Sequence, residues 1–322
     1  VDVHNLTGIF PEGGVEARSS LASTLARIPD GARVVIDGLA MGGLPELVQA
    51  ERARLRILAL VHHPLADETG IAESQRKRFE ALERDGLDAC VGVLVTSEFT
   101  ARRLEAYGVG SERIGVAIPG VDPVRRAVGP VSGDEPTLLC VGAVIPRKGQ
   151  RMLVLALAEL TDLPWTCVCA GSLERASNYS GSVQALTVQA GLAGRVRFAG
   201  ECEAAELDRF YHHASLFVLP SYYEGYGMAL ADALARGLPV VSTTGGAIPD
   251  TVEGDASILV QPGDVPALAG ALRGLLSGIR GSDRRAALAT AARSCASRLP
   301  DWHQAAIRFA SVALALTPDG NI

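Results

Sequence analysis

The stretch "LFVLPSYYEGYGMALADALARGLPVVS", Leu216 to Ser242, changes its hydrophobic period twice. Leu216 to Leu219 is a short apolar run of strand length, Met228 to Leu234 is an apolar helical segment, and Pro239 to Ser242 is apolar and short again. Strand, glycine-bearing turn, helix and strand in that order form the unit that connects parallel strands. Reading outward, the same alternation predicts strands at Val1 to Leu6, Arg33 to Asp37, Arg56 to His62, Cys90 to Thr96 and Ile114 to Ile118. It resumes at Thr137 to Val144, Thr166 to Ala170, Arg195 to Ala199 and Ile258 to Val260, with helical patterns between, among them Glu73 to Arg84 and Phe99 to Tyr107. This predicts an α/β fold of two similar, Rossmann-like, doubly wound units. The Pro- and Gly-rich piece Pro119 to Pro136 reads as the linker, and a cleft between the units is the expected site.

The chain has 322 residues, long for one core, and a formal net charge of −6. That charge speaks against a nucleic-acid partner or a bulk anionic membrane, since phosphate surfaces demand a basic field. No apolar run reaches membrane-spanning length and no signal-like segment opens the chain, so a cytoplasmic protein with at most peripheral membrane contact is expected. The six cysteines fall mostly in strand-like apolar runs without a C-x-x-C pair, which suits reduced, buried thiols and gives no zinc site. Asp-x-Asp, G-x-S-x-G, H-E-x-x-H and G-x-G-x-x-G are all absent, which counts against metal-diphosphate chelation, α/β-hydrolase chemistry, zincins and ordinary dinucleotide binding.

Glu224 and Asp232 lie eight positions apart in the opening stretch. Glu224 sits on a turn whose Gly225 and Gly227 permit close backbone approach, ahead of a helix starting near Tyr226 or Gly227. The amides at that helix start face any anion with the positive end of the dipole. Asp232 lies inside the helix, about 8 Å along the axis at about 1.5 Å per residue, so the two carboxylates suit separate portions of one elongated ligand better than a shared proton. The competing reading makes Glu224 a local cap or salt-bridge partner and Asp232 a solvated helix position.

In "VGAVIPRKGQ", Val141 to Gln150, a strand ends, Gly142 turns the chain, and Arg147 and Lys148 precede a helix. Two cations at a strand's carboxyl end can neutralise a diphosphate, Arg as a planar fork and Lys as a point charge; the alternative is a solvated loop. His62 and His63 stand where another strand ends, and His62 is favoured for substrate contact because strand neighbours face opposite ways. His212 and His213 read as structural. Gly245 and Gly246, after a strand and before a short helix, offer further amides to phosphate.

Together "PSYYEGYGMALADALARGLPVV", "VGAVIPRKGQ", "TSEFTARRLEAYGVGSERIGVAIPGVDP" and "GGAIPDTV" resemble the retaining nucleotide-sugar glycosyltransferases of family 4, which have the GT-B fold. The likeness runs from about Arg56 onward. It implies an acceptor-side domain of residues 1–128 plus 300–322, to which the last helix returns, and a donor-binding domain of residues 129–299. It implies that Glu224 contacts the donor sugar and Asp232 the ribose hydroxyls. Arg147 and Lys148 would clamp the diphosphate, Gly142, Gly225, Tyr226, Gly227 and Gly246 would line the donor, and His62 would approach the transferred sugar. The donor would be a nucleoside diphosphate sugar, UDP- or GDP-linked, with no cofactor and no metal. The acceptor would be a carbohydrate, a lipid-linked molecule or a small molecule. Two departures stand out: the family usually has Glu where Asp232 stands, and, although "FPEGGVEARSSLASTLA" could pass for the family's first glycine-rich loop, the preferred reading is that the first domain lacks its N-terminal strand and "VDVHNLTGIFPEGG" is the second strand with its following loop. A GT-B sugar-nucleotide epimerase and a non-catalytic nucleotide-sugar binder are the alternative readings.

Overall fold

The structure is a computed structural model and describes residues 1–130, 135–252 and 254–318. It divides into two compact units, Val1–Pro119 with His303–Ile322, and Gly120–Trp302.

The first unit is built on a parallel four-stranded sheet in the order β1 (Arg33–Asp37), β2 (Arg56–Val61), β3 (Gly92–Val95) and β4 (Ile114–Val116). Each strand is a short run rich in β-branched residues and leucine, as expected where helices cover both faces of a sheet. On one face Leu21, Leu25, Met41, Val48 and Leu87 pack against Ile57, Val93 and Val95. On the other, the last helix, Trp302–Leu316, lays Val312, Phe309 and Leu316 over Leu58 and Leu94. Arg33 fixes the end of that helix by donating to the carbonyl and hydroxyl oxygens of Thr317.

The strand expected at Val1 to Leu6 does not form. Its apolar–polar alternation meets no ladder partner, and Val1 and Val3 stay exposed. The segment is instead tied to the helix Val15–Ala26, where the Thr7 amide donates to Ser20 Oγ at 2.9 Å.

The second unit carries a parallel six-stranded sheet of β5 (Thr137–Val141), β6 (Thr166–Ala170), β7 (Val196–Gly200), β8 (Leu216–Leu219), β9 (Val240–Thr243) and β10 (Ser257–Val260). Their spatial order is β10-β9-β8-β5-β6-β7. From β5 the strand order runs outward in both directions, which makes the gap between β5 and β8 the topological switch point. One continuous core surrounds the sheet, with Trp165, Tyr211 and Phe217 fully buried and the Tyr211 and Phe217 rings stacked at 5.9 Å.

Part of the expected linker is fastened to this second unit. The Val121 amide donates to Pro300 O, Ala127 to Arg236 O, and Val128 to His212 O, while His212 Nδ1 lies 3.0 Å from Arg126 O. Residues 131–134 of the linker fall outside the described residues. Among the described residues no helix is long and apolar enough to cross a membrane.

Candidate functional site

Three loops meet at the carboxyl ends of the central strands of the second unit. Beyond β5, the short turn Pro146–Lys148 leads through Gly149 into the helix Gln150–Ala158. Beyond β8, residues 220–227 lead into the helix Met228–Ala235, and beyond β9, residues 244–247 lead into the short helix Ile248–Thr251. Main-chain bonds sew them together: the Tyr222 amide donates to Arg147 O at 2.7 Å and the Ala247 amide to Glu224 O at 2.8 Å. Two glycines make this approach possible. Gly149 has φ +72° and a Cβ there would stand 2.0 Å from Pro220 O; Gly246 has φ +63° and a Cβ would stand 2.3 Å from Glu224 O.

This scaffold brings Arg147, Lys148 and Glu224 into one cluster. Lys148 Nζ donates to both Glu224 oxygens at 2.7 and 2.9 Å, and Arg147 Nη1 reaches Glu224 Oε2 at 3.4 Å and Tyr223 O at 3.0 Å. Ser221 Oγ donates to Glu224 Oε1 at 2.6 Å. Glu224 is 4% exposed, so its charge is taken out of water against three donors. Two cations against one carboxylate leave a local excess of positive charge, the condition for holding an anion. Gly142 borders the cluster, its Cα facing the aliphatic stem of Lys148, and the buried Gln150 ties the turn by donating to the Ala143 carbonyl at 3.0 Å.

The helix after Glu224 begins as expected, with Gly227 at φ +100° as its N-cap. Glu224 lies ahead of that helix in a bridge with Gly246, so its separation from Asp232 is set by the turn as well as by helical rise. Gly225 is buried in the turn and Tyr226 packs with Val121 and Ala231. Burial pushes the Tyr226 hydroxyl up to about 12, with the Asp232 charge adding to it. Asp232 is half-buried on the helix and, among the described residues, its carboxylate makes no hydrogen bond or ion pair. Burial raises its pKa above the usual carboxylate range, Arg236 opposes the rise and Asp122 adds to it. A carboxylate so placed is ready to accept from hydroxyls.

His62 belongs to the first unit, one residue beyond β2, and its Nε2 lies 3.2 Å from Asp37 Oδ2. His63 faces Glu68, Nε2 to Oε2 at 3.5 Å, in keeping with the opposed directions of strand neighbours. Sequence reasoning missed Ser221 and Asp37. Ser221 is three residues before Glu224, a spacing that could have suggested a local hydroxyl–carboxylate bond; Asp37 is brought to His62 only by the β1–β2 register. Among the described residues no three or more His, Cys, Asp or Glu side chains form a metal-holding group.

Residues 135–278, which hold the three loops and Asp232 just described, match the family model for glycosyl transferases of group 1. This segment belongs to that family. A GDP-mannose-dependent alpha-(1-6)-phosphatidylinositol monomannoside mannosyltransferase of Mycolicibacterium smegmatis is 32% identical over 72% of this chain and 64% of its own length. A D-inositol 3-phosphate glycosyltransferase of Xylanimonas cellulosilytica is 33% identical over 68% of this chain and 55% of its own length. The chain thus spans between about half and two thirds of the length of these relatives. Among solved structures, sucrose-phosphate synthase of Thermosynechococcus elongatus superposes with a TM-score of 0.78 at 22% identity, over 94% of this chain and 77% of that one. The HepE protein of Anabaena, in complex with UDP and glucose, superposes with a TM-score of 0.76 at 18% identity, over 96% and 84%. The fold is that of the GT-B glycosyltransferases.

Proposed function

We propose that the protein transfers a sugar from a nucleoside diphosphate sugar to an acceptor hydroxyl, with retention of anomeric configuration and without a metal ion. The observation that carries this reading is the Arg147–Lys148–Glu224 cluster at the switch point, with Lys148 at 2.7 Å from the buried carboxylate. In the donor-free molecule Glu224 takes both cations. When a diphosphate arrives, Arg147 and Lys148 meet its oxygens, and Glu224 turns its freed lone pairs to sugar hydroxyls. As the glycosidic C–O bond breaks, negative charge grows on the leaving diphosphate. Preplaced cations and the amides around Gly227 and Gly246 stabilise that charge more than they stabilise the ground state. The acceptor hydroxyl attacks on the face the diphosphate leaves, and its proton passes to the departing phosphate oxygen.

Asp232 is assigned to the ribose hydroxyls and His62 to a ligand hydroxyl. GDP and UDP are the nucleotides to try first, since one relative is named for GDP-mannose and one structural neighbour was solved with UDP. Carbohydrates, lipid-linked molecules and small molecules are the acceptor classes.

The test is a thermal-shift screen of UDP-, GDP-, ADP- and dTDP-sugars, followed by product analysis with and without acceptor. One donor class is expected to raise the melting temperature by mass action and to be consumed only when an acceptor is present. A flat response to all four sinks the donor site, and an isomerised nucleotide sugar formed from donor alone sinks transfer in favour of epimerisation.

A further inference from the structure

At the carboxyl edge of the first unit's sheet, β1 and β2 end side by side, with Asp37 opposite Leu60 in the ladder and His62 two residues further on. Both oxygens of Asp37 are committed. Oδ1 accepts from the Leu39 amide at 2.8 Å, capping the short helix Gly38–Met41, and Oδ2 lies 3.2 Å from His62 Nε2. The cap fixes the plane of the carboxylate and so fixes what the imidazole meets. The backbone of His62 is held as well, its carbonyl accepting from Thr100 Oγ1 at 3.5 Å. Among the described residues Nδ1 of His62 has no partner, and the side chain is 55% exposed. Such a half-exposed pair adds little to stability, which leaves orientation as its use.

An ionised carboxylate only accepts hydrogen bonds, so a neutral imidazole facing it must carry its proton on Nε2 and its lone pair on Nδ1. We infer that Asp37 is a positioning residue: it holds His62 in the Nε2–H tautomer and thereby presents Nδ1 as an acceptor to a hydroxyl of the sugar-bearing ligand. The ligand class rests on the proposed sugar transfer; the tautomer rests on the geometry of the two strand ends alone.

The variant Asp37→Asn tests both parts. It keeps the shape and the acceptor for Leu39, yet turns an NH2 donor toward Nε2, which requires the ring proton to move to Nδ1. In the full chain labelled with 15N-histidine at about pH 8.5, where imidazoles are neutral, long-range 1H–15N spectra are expected to show Nε2–H for His62 in the wild type and Nδ1–H in Asp37→Asn. His62→Asn identifies the signal, and Asp37→Ser, which retains a capping oxygen, controls for folding. A wild-type ring protonated on Nδ1, or a tautomer unchanged in Asp37→Asn, overturns the inference. With GDP-mannose or UDP-glucose, whichever is consumed, Asp37→Asn is expected to lower kcat by about tenfold or more; full turnover despite the inverted tautomer overturns the positioning role. If no UDP-, GDP-, ADP- or dTDP-sugar is bound or consumed with acceptors by any form of the chain, the transfer reading falls, while the tautomer is still decided by the spectra.

Discussion

Glu224 is the anion of a cluster in which Lys148, Arg147 and Ser221 converge on its two oxygens. Removing one partner of a buried ion pair costs about 3–5 kcal/mol, because the remaining charge is left without compensation. In Glu224→Gln that residue charge is cationic, and it faces the position assigned to the donor's diphosphate. The variant is therefore expected to lose stability by about 3 kcal/mol while binding GDP or UDP at least as tightly as the wild type. Turnover with the matching donor is expected to fall by about a hundredfold or more, since a sugar contact that strengthens in the transition state is lost. Denaturant unfolding, calorimetric titration and initial rates measure the three effects. Weakening of nucleotide binding by more than about tenfold would place the diphosphate away from Arg147 and Lys148.

At the scale of elements, the loop after β2 shows what a buried carboxyl does to a fold. Leu65–Asp67 forms a short turn next to the helix Glu73–Asp88, and Glu83 of that helix, 2% exposed, accepts from the Leu65 amide at 3.1 and 3.2 Å. Burial pushes the Glu83 pKa up to about 8; the Leu65 amide and Arg103 lower it, and Asp67 raises it further. The folded chain then binds a proton there that the unfolded chain, near 4.5, has already released. The contribution of this carboxyl to stability falls as pH rises from about 4.5 and levels off above about 8. Glu83→Gln keeps an acceptor for Leu65 without the titration, so its stability relative to the wild type should rise by several kcal/mol between pH 5 and pH 9. Urea melts at the two pH values measure this, and parallel changes in both proteins would refute it. The element-level pattern was largely legible in the sequence because parallel strands covered on both faces read as continuous apolar runs, as at Leu216–Leu219 and Thr166–Ala170. It misled at Val1–Leu6, where period alone says nothing about a ladder partner. The candidate site was legible where one loop carries the signal, as in Glu224 with Gly225 and Gly227. The grip of Arg147 and Lys148 on Glu224 was not, since it joins positions about 76 apart in the chain. Asp37 beside His62 was hidden for the same reason: register, not spacing, brings them together.

At the scale of the whole molecule, the residues assigned to the donor and its sugar are unequally divided. Arg147, Lys148, Glu224, Asp232 and the glycines around them all belong to Gly120–Trp302, whereas His62 and Asp37 belong to Val1–Pro119 with His303–Ile322. Each unit has its own sheet and its own core, the property that lets domains unfold separately. Both tryptophans lie in the second unit. Trp165 is fully buried, with its Nε1–H bonded to Leu160 O at 2.7 Å and the Arg195 guanidinium 3.7 Å above its ring, whereas Trp302 is already 49% exposed. Tryptophan emission therefore reports the second unit, and far-ultraviolet circular dichroism reports helices of both. A nucleotide held by the second unit's loops alone stabilises that unit by about 2.7 kcal/mol at a ligand concentration of about a hundred times Kd. Saturating GDP or UDP, whichever binds, should move the tryptophan melt upward, while the dichroism melt separates into a shifted part and a part that stays at the ligand-free midpoint. If the ligand-free dichroism melt shows two transitions and the nucleotide moves both by the same amount, the nucleotide holds both units, and the assignment of diphosphate binding to the loops after β5, β8 and β9 alone would have to be abandoned.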